Sequence, residues 1–376
     1  MDKKGLRALF EVKHIDWLAF TAPVLLSVLG ILTIYSATRP VLDSIHPSYY
    51  IRQSIWLVIG LTAMILTSMF DYRRLLRYSY PVYVIGLLLL LVTILFGHKG
   101  MGAQRWLRIG PVSFQPSEVF KIILIIALSK YLSTVRTPLT YWQSIFSFVI
   151  FGMVPFVILF SQPDLGTAIM LLLIMLVMLL CKGLERRLVL SSLIVLLLLL
   201  PLTGKTIWNG LKDYQKNRLV AFIDPGVDPK GIGYQIEQSK VTIGSGKTLG
   251  KGYLKGTQGP LRFLPEKHTD FIFAVFAEEW GFVGSLLLLS VYMVLIIRGL
   301  ETAYYSKDVF GTLLAIGISV MFLLYVSINI GMTMGLMPVV GVPLPFFSYG
   351  GTALLSNFIA VGLLISIRKH RFTLFY

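Results

Sequence analysis

The sequence predicts an all-α, polytopic integral membrane protein, and three observations carry that prediction. First, 56% of the 376 residues are hydrophobic and 14% are charged, with a mean hydropathy of +0.77, which is more apolar surface than a soluble domain of this length buries. Second, apolar runs of about 20 residues, the length that crosses about 30 Å of hydrocarbon, recur along the chain. Third, Lys and Arg concentrate in alternate loops between these runs.

Ten runs are long enough to cross a membrane, so we predict about ten transmembrane helices within a single membrane domain, residues 1–376. The first helix follows the charged segment MDKKGLRALFEVKH, which has no small-residue cleavage site, and this favours an uncleaved anchor over a removable signal peptide. The predicted helices lie at residues 16–37, 53–71, 78–97, 117–133, 143–161, 164–181, 188–206, 270–298, 308–333 and 350–368.

Loop charge predicts the orientation, because Lys and Arg in short loops are retained on the cytoplasmic side. The opposite set of short loops carries only Arg39, Arg52, Lys99, Arg105 and Arg108. We therefore expect both termini on the cytoplasmic side of the membrane. The cytoplasmic set is Lys3, Lys4, Arg7, Lys13, Arg73, Arg74, Arg77, Lys130, Arg136, Lys182, Arg186, Arg187, Arg298, Lys307, Arg368, Lys369 and Arg371.

A long loop at residues 207–268, between the seventh and eighth helices, is predicted on the outer face. Its segment VTIGSGKT matches the second half of a phosphate-binding loop at Gly246, Lys247 and Thr248, but Val241 stands where the first glycine is required. No buried strand precedes it either, so we do not interpret it as a nucleotide site. Two alternatives remain, a flexible glycine-rich connector or a set of backbone N–H groups and lysines facing an anionic group.

The formal charge of +16 would indicate nucleic-acid binding in a soluble protein, but here it reports topology and anionic headgroups or substrates. The single cysteine, Cys181, excludes an intrachain disulfide. The five histidines show no metal-ligand spacing; they are His14, His46, His98, His268 and His370.

Acidic residues at membrane depth are functional candidates, because an ionised side chain there costs at least a few kcal/mol. Glu118 and Lys121 share one face of the fourth helix, where a self-neutralising ion pair is as good an interpretation as a catalytic role. Asp164 begins the sixth helix, and helix capping explains it nearly as well as ligand binding.

Asp270 stands at the outer mouth of the eighth helix, beside His268 and directly after the basic loop. A carboxylate half removed from water beside cationic residues is suited to act as a general base toward a sugar hydroxyl, although Asp270 could also be a helix cap. Glu278 and Glu279 lie about two turns deeper, and we interpret them as structural residues.

The segment GLMPVVGVPLPFFSYGG, between the ninth and tenth helices, is predicted to be re-entrant, because irregular backbone at membrane depth survives only where it lines a cavity or is buried. Ser348 lies in this segment. The pattern allows three functions: an enzyme acting on an anionic lipid-linked substrate, a lipid transporter, or a scaffold. A transporter is expected to show related halves with paired broken helices, and no internal repeat is evident.

Five motifs occur in order along nearly the whole chain: QPSE at 115–118, QPDLGT at 162–167, GYQIEQSK at 233–240, LPEKHTDFIFAVFAEEWG at 264–281 and PVVGVPLPFFSYGG at 338–351. Together they closely resemble the SEDS family of bacterial shape, elongation, division and sporulation proteins. IGSG, GKG and GTQ at 243–246, 250–252 and 256–258, together with GVPLPF, are typical of the branch that acts in cell elongation.

The resemblance implies a peptidoglycan glycosyltransferase that polymerises lipid II into β-1,4-linked glycan on the outer face of the membrane and releases undecaprenyl pyrophosphate. It also implies that the protein acts together with a class B penicillin-binding protein, which is a transpeptidase, and with other membrane proteins of the elongation machinery. No nucleic-acid partner is expected. The family's essential aspartate corresponds to Asp270. The resemblance implies that Asp270 is the general base of a displacement that inverts the α-linked anomeric carbon of the donor. Lipid II translocation and a non-catalytic scaffold remain as alternatives.

The leaving pyrophosphate needs positive charge, and a divalent cation, Mg or Mn with unknown ligands, is expected to share that task. His268 and Ser348 are further candidate cavity residues, and Glu118 and Asp164 match motif acids of the family. Basic candidates by position are Arg105, Lys121, Arg218, Lys240, Lys247 and Lys251.

Overall fold

The structure is a computed structural model of the chain. It describes residues 16–39, 48–100, 103–110, 112–185, 190, 209–210, 213–228, 231–257, 264 and 266–370. In that part of the chain the elements are, in order, α1 Trp17–Thr38, α2 Tyr49–Met69, α3 Leu75–Phe96, β1 His98–Gly100, β2 Ala103–Ile109, β3 Val112–Phe114, α4 Pro116–Thr134, α5 Tyr141–Ser161, α6 Leu165–Lys182, α7 Asp213–Ile223, α8 Ile232–Ser245, α9 Ile272–Tyr304, α10 Val309–Thr333 and α11 Gly351–His370.

The polytopic helical fold is confirmed. Nine of the ten predicted helices have a counterpart among the described residues, with ends that differ by a few positions. Eight spans are long and apolar enough to cross a membrane. One of them, Tyr72–Phe96, combines α3 with the short turn before it. The ninth, α4, carries three charged residues, Glu118, Lys121 and Lys130. The predicted helix at 188–206 and the basic residues before 16 lie outside the described residues.

The helix starts follow from local sequence. Asp16, Asp164 and Asp308 precede α1, α6 and α10, and their carboxylates accept hydrogen bonds from Ala19 N, Thr167 N and Gly311 N at 3.2, 3.5 and 2.7 Å. Pro116 opens α4 at the first helical position, where its missing N–H costs nothing. Sequence order and capping chemistry therefore set these boundaries.

Small residues bring helices close together. A Cβ on Gly60 of α2 would overlap the ring of Phe358 in α11, and one on Gly362 of α11 would overlap Thr67 of α2. Such glycines let two helices pack at short distance in a membrane, where van der Waals contact supplies much of the association energy. The α2–α11 pair is held in this way from both sides.

An ion-pair cluster ties three helices at the end of the bundle opposite to Asp270. The carboxylate of Asp16, before α1, lies 3.0 Å from Arg298 of α9 and 2.7 Å from Arg368 of α11. Glu301 accepts from the same two arginines at 2.6 and 3.4 Å. Each charge is therefore paired, which is the condition under which partly buried charges are tolerated.

A small antiparallel sheet, which the all-α prediction missed, covers the end of the bundle that carries Asp270. Strand β2 lies between β1 and β3, with Leu107 opposite Phe114. Thr352 of α11 fastens the β3 side, because its hydroxyl donates to Ser113 O at 3.4 Å and accepts from Gln115 N at 3.3 Å. The sheet carries Arg105 on β2 toward the start of α6.

The long loop contains two helices, α7 and α8, so the expectation of a flexible connector is wrong for that part of it. Ser239 of α8 anchors this helix to the bundle by donating to the carbonyl of Thr333, the last residue of α10, at 2.7 Å.

The segment predicted to be re-entrant, residues 335–351, is irregular backbone up to the start of α11, and we keep the name re-entrant segment for it. It is largely buried from Val342 to Ser348, whereas Leu336 and Met337 are exposed. Tyr292 of α9 reaches it and donates to Pro345 O at 2.6 Å.

Helix α9 is broken at Gly281, whose φ of 66° and ψ of −164° are outside the helical region. Residues 246–257, here called the glycine loop, form backbone hydrogen bonds with the residues on both sides of the break. Lys251 N and Gly252 N donate to the carbonyls of Glu278 and Glu279 at 3.0 and 2.9 Å, while Phe282 N and Val283 N donate to Lys247 O and Thr248 O at 2.9 and 3.0 Å. The segment that resembles half of a phosphate-binding loop thus binds protein backbone.

The two glutamates beside the break are structural, as predicted. Glu278 accepts from Lys251 Nζ at 2.6 Å and from the backbone and hydroxyl of Thr257 at 3.0 and 2.9 Å. Glu279 accepts from Ser36 of α1. The bonds of Glu278 go to the glycine loop, whereas Glu279 bonds to a neighbouring helix.

We predict that Gly281→Ala lowers the free energy of unfolding by about 2 kcal/mol or more, because an L-residue at positive φ is strained and its Cβ would overlap Gly250 N. Thermal unfolding of the purified protein in detergent measures this. Gly244→Ala in α8 is the control, since nothing lies within 4 Å of its Cβ position. Equal melting temperatures for the two variants would contradict the role of the break.

Candidate active site

Asp270 lies immediately before α9, in the turn that follows the long loop, and its side chain is half-buried. Removal from water raises the pKa of its carboxyl group to about 6, and the negative charge of Glu266 acts in the same direction. The guanidinium groups of Arg218 and Arg105 oppose this shift. A carboxyl group with this pKa is a base at neutral pH that is stronger than an ordinary aspartate.

The backbone at Asp270 is held at three consecutive carbonyl groups. His268 O accepts from Tyr349 N at 2.9 Å, Thr269 O accepts from the Ser348 hydroxyl at 2.7 Å, and Asp270 O accepts from Asn329 Nδ2 at 3.0 Å. The donors belong to the re-entrant segment and to α10. Irregular backbone is thus hydrogen-bonded without water.

Arg105 and Asp164 form one wall of the site. Arg105 NH1 lies 3.5 Å from Asp164 Oδ1, and NH2 donates to Pro163 O. Asp164 is also the cap of α6 and accepts from the Ser117 hydroxyl at 3.4 Å. The Nε–H of Arg105 is buried and makes no hydrogen bond with the described residues, so it can still donate to a ligand.

Arg218 of α7 also lies near Asp270. A Cβ built on Gly341 would lie 3.4 Å from Asp270 Oδ2 and 3.8 Å from Arg218 NH1, so both side chains face this glycine. Gly341 has a φ of 73°, and glycine adopts that conformation at no steric cost. Arg218, which belongs to the long loop, thereby places a positive charge near Asp270.

Glu118 and Lys121 form a closed buried triad with Tyr325 of α10. Lys121 Nζ lies 2.7 Å from Glu118 Oε1 and donates to the Tyr325 hydroxyl, which donates to Glu118 Oε2 at 2.9 Å. Exposure of the two charged residues is 4% and 2%. Of the two interpretations, this geometry favours the self-neutralising pair, which joins α4 to α10 below Asp164.

His268 stacks on Tyr49 of α2, with ring centroids 4.6 Å apart and an interplanar angle of 23°. Tyr349 meets the Tyr49 ring edge-on at 5.0 Å. Burial lowers the pKa of His268, so its imidazole is neutral at pH 7. The three rings brace the turn before Asp270.

The structure places the three lysine candidates apart from this group. Lys251 is paired with Glu278, eight residues along α9 from Asp270, or about 12 Å at the helical rise. Lys247 is exposed, and Lys240 is exposed on α8 with its Cε packed at Gly335. Arg105, Arg218, Asp164, His268 and Ser348 are therefore the predicted site residues that gather around Asp270.

Sequence reasoning missed Glu266, Asn329 and Tyr325, which act on or near the site. Glu266 lies only four residues before Asp270, and its position in the LPEKHTDF motif was a usable signal. Asn329 and Tyr325 sit within the apolar run of α10. An amide and a phenol within a transmembrane run were signals too, but which residues they bond is a tertiary property.

No group of three or more His, Cys, Asp and Glu that would hold a metal ion occurs among the described residues. Mg²⁺ commonly binds through one or two carboxylates together with substrate phosphates. The donor set therefore does not fit a cation enclosed by protein ligands in the described part of the chain.

These contacts make a site suited to base-assisted displacement of an anionic leaving group. The carboxyl group of Asp270 has a raised pKa, and two guanidinium groups act on it electrostatically. A buried arginine N–H is available on one of them.

The profile of a family described as "Cell cycle protein", which groups FtsW, RodA and SpoVE, matches residues 16–373. The chain belongs to this family. The resemblance to SEDS proteins is therefore confirmed over nearly the whole sequence.

Named relatives share this length. The peptidoglycan glycosyltransferase MrdB of Escherichia coli strain K12 is 38% identical over 371 residues, 98% of each chain. The peptidoglycan glycosyltransferase RodA of Treponema pallidum is 33% identical, over 96% of this chain and 99% of its own.

Solved structures agree with the fold. A chain of a peptidoglycan synthase complex that coordinates polymerization and crosslinking superposes with a TM-score of 0.81 at 32% identity, covering 95% of this chain and 98% of its own. The rod shape determining protein RodA of Thermus thermophilus gives a TM-score of 0.69 at 29% identity, covering 96% of this chain and 98% of its own.

We predict that Lys121→Met lowers the free energy of unfolding by about 3–5 kcal/mol, because it leaves Glu118 buried without its cation. The double variant Glu118→Gln with Lys121→Met is expected to recover part of that loss, since no unpaired charge remains. Thermal unfolding of the four proteins of this cycle measures the coupling. Additive losses would show that the two side chains do not depend on each other.

Proposed function

We propose that this chain is a peptidoglycan glycosyltransferase of cell elongation, which polymerises lipid II with Asp270 as general base. The family membership and the names of the near full-length relatives support the activity. The single observation that carries the role of the site is the Asp270 carboxyl group, whose pKa is raised to about 6 although the charges of Arg218 and Arg105 act on it.

In this mechanism Asp270 removes the proton from the 4-hydroxyl of the acceptor GlcNAc. The oxygen attacks the anomeric carbon of the donor MurNAc, forming the β-1,4 bond as the bond to undecaprenyl pyrophosphate breaks. One displacement inverts the α-linked carbon, so no covalent enzyme intermediate forms. The proton stays on Asp270 until solvent removes it, and the electron pair leaves with the pyrophosphate.

Arg105 and Arg218 are the described cations that act on Asp270, and we assign them to the developing negative charge of the leaving group. Asp164 and Pro163 O hold Arg105 in place, which limits the reorganisation needed during reaction. A divalent cation is part of the proposal, bound chiefly through the pyrophosphate oxygens, because the described residues offer no dedicated cage.

We place the site on the outer face of the bacterial cytoplasmic membrane, with both termini in the cytoplasm. The distribution of Lys and Arg among the short loops supports this orientation. We propose a class B penicillin-binding protein as partner. The structural likeness to a chain of a complex that coordinates polymerization and crosslinking supports a crosslinking partner.

We predict that Asp270→Asn lowers the rate of polymerisation by about a hundredfold or more, because the amide cannot accept the proton. The assay resolves glycan chains made from lipid II by the purified protein with its class B partner, with Mg²⁺ and with a chelator. Asp224→Asn, at an exposed aspartate after α7, is expected to keep wild-type activity. Equal polymer from the Asp270 variant would remove this residue from the chemistry.

We predict that kcat/KM rises with pH through about 6 and then levels, since only the deprotonated Asp270 is a base and its pKa is about 6. The charge of Glu266 raises that pKa, so Glu266→Gln should move the acidic limb to lower pH. Initial rates between about pH 5 and 8 measure it. Glu237→Gln, at an exposed acid of α8, is the control, and an equal displacement in both variants would contradict the assignment.

A further inference from the structure

Asn329 is fully buried in α10, and the reaction as proposed gives it no part. Its Nδ2 donates to two carbonyl groups, Asp270 O at 3.0 Å and Val342 O at 2.8 Å. These carbonyls belong to segments more than seventy positions apart in sequence. One side-chain amide therefore joins the turn that carries the base to the re-entrant segment.

The second carbonyl lies next to a glycine that faces the Asp270 carboxylate. Val342 follows Gly341, and the Cβ position of Gly341 lies 3.4 Å from Asp270 Oδ2 and 3.8 Å from Arg218 NH1. Asn329 thus ties the backbone of Asp270 to the backbone beside Gly341, the glycine that its carboxylate faces. A shift between the two segments would change where the carboxylate stands beside Arg218.

The residue type follows from this geometry. Two carbonyl oxygens require two N–H donors on one atom, which Asn supplies and Asp does not. With both hydrogens used, Asn329 Oδ1 has no hydrogen-bond partner among the described residues, although it is buried. Burying an unpaired acceptor is unfavourable, so the arrangement is a poor device for stability alone.

We propose that Asn329 is a positioning residue, which holds the Asp270 carboxylate in register with Gly341 and Arg218 for proton abstraction. Ser348 assists by binding the preceding carbonyl, that of Thr269. This inference deepens the proposed function and rests on Asp270 being the base. It concerns residues that touch no reacting atom.

The proposal implies a change in the pH profile. The charged groups that act on Asp270 are Glu266 of its own segment, Arg218 of α7 and Arg105 of β2. Removal from water is the main reason that the pKa of Asp270 is raised, and Arg218 opposes it. If the turn shifts relative to the re-entrant segment while the carboxyl group stays half-buried, that group moves away from Arg218 and loses the charge that lowers its pKa. The acidic limb of the rate profile should then move to higher pH.

The test compares Asn329→Ala and Asn329→Asp with Thr333→Val. Thr333 is equally buried one turn along α10, and its hydroxyl donates only within the helix, to Ile330 O. Polymerisation of lipid II is measured with the class B partner. Both Asn329 variants should lose about 10- to 100-fold in kcat, with KM for lipid II within about threefold and the acidic limb shifted upward. Thr333→Val should match the wild type in all three quantities.

A loss of kcat at every pH without displacement of the limb would overturn the proposal, as would a loss that Thr333→Val shares. If the Asn329 variants do not fold, Ser348→Ala and Ser348→Thr decide, because only the second keeps a hydroxyl for Thr269 O. The acidic limb of Ser348→Ala should shift to higher pH, by less than in the Asn329 variants. The acidic limb of Ser348→Thr should not shift. An unchanged profile in Ser348→Ala would then refute positioning through these carbonyls.

Asp270→Asn separates this inference from the function on which it rests. Activity retained in Asp270→Asn would refute the base, whatever the Asn329 variants show. If Asp270→Asn is inactive and the wild-type limb lies near the pKa of Asp270, the base holds, and the Asn329 variants test positioning alone.

Discussion

The hydrogen-bonding demand of backbone at membrane depth is the constraint on which this structure depends. Water is scarce there, so every non-helical N–H and C=O needs a partner within the protein. The glycine loop meets that demand at the break in α9, Tyr292 meets it at Pro345 O, and Asn329 meets it at Asp270 O. The segments around Asp270 are irregular, so the groups that bind their backbone also determine the geometry of the candidate site.

Charge follows a related rule. Glu118 with Lys121, Glu278 with Lys251 and Asp16 with two arginines are each neutralised by a close partner. Such pairs lock elements together, but they leave little charge to offer a substrate. Asp270 is in a different setting, because its side chain is half-buried. Removal from water and the charge of Glu266 raise its pKa, although Arg218 and Arg105 oppose that shift. The contrast separates an acid suited to proton transfer from acids that hold helices.

This contrast also bears on the predicted site residues. Motif position singled out Asp270, whereas six basic residues were candidates without any ranking, and the structure brings Arg105, Arg218, Asp164, His268 and Ser348 together near Asp270 at one end of the bundle. Nothing in the sequence distinguished Lys251, which is paired with Glu278, from a lysine that faces a substrate. The small sheet and the helices α7 and α8 were also missed, since short polar elements lack the long apolar runs on which the fold prediction relied.

By itself the sequence determined the membrane fold, the helix positions, the family and the identity of the acid before α9. Apolar length, capping residues and motif order are local quantities, and they are readable along one dimension. Only the tertiary structure decided which acids are neutralised, how the break at Gly281 is repaired and that Asn329 joins Asp270 to Val342. Those contacts bring together residues that are distant in the chain, and a pairing between two segments leaves no trace in either segment alone.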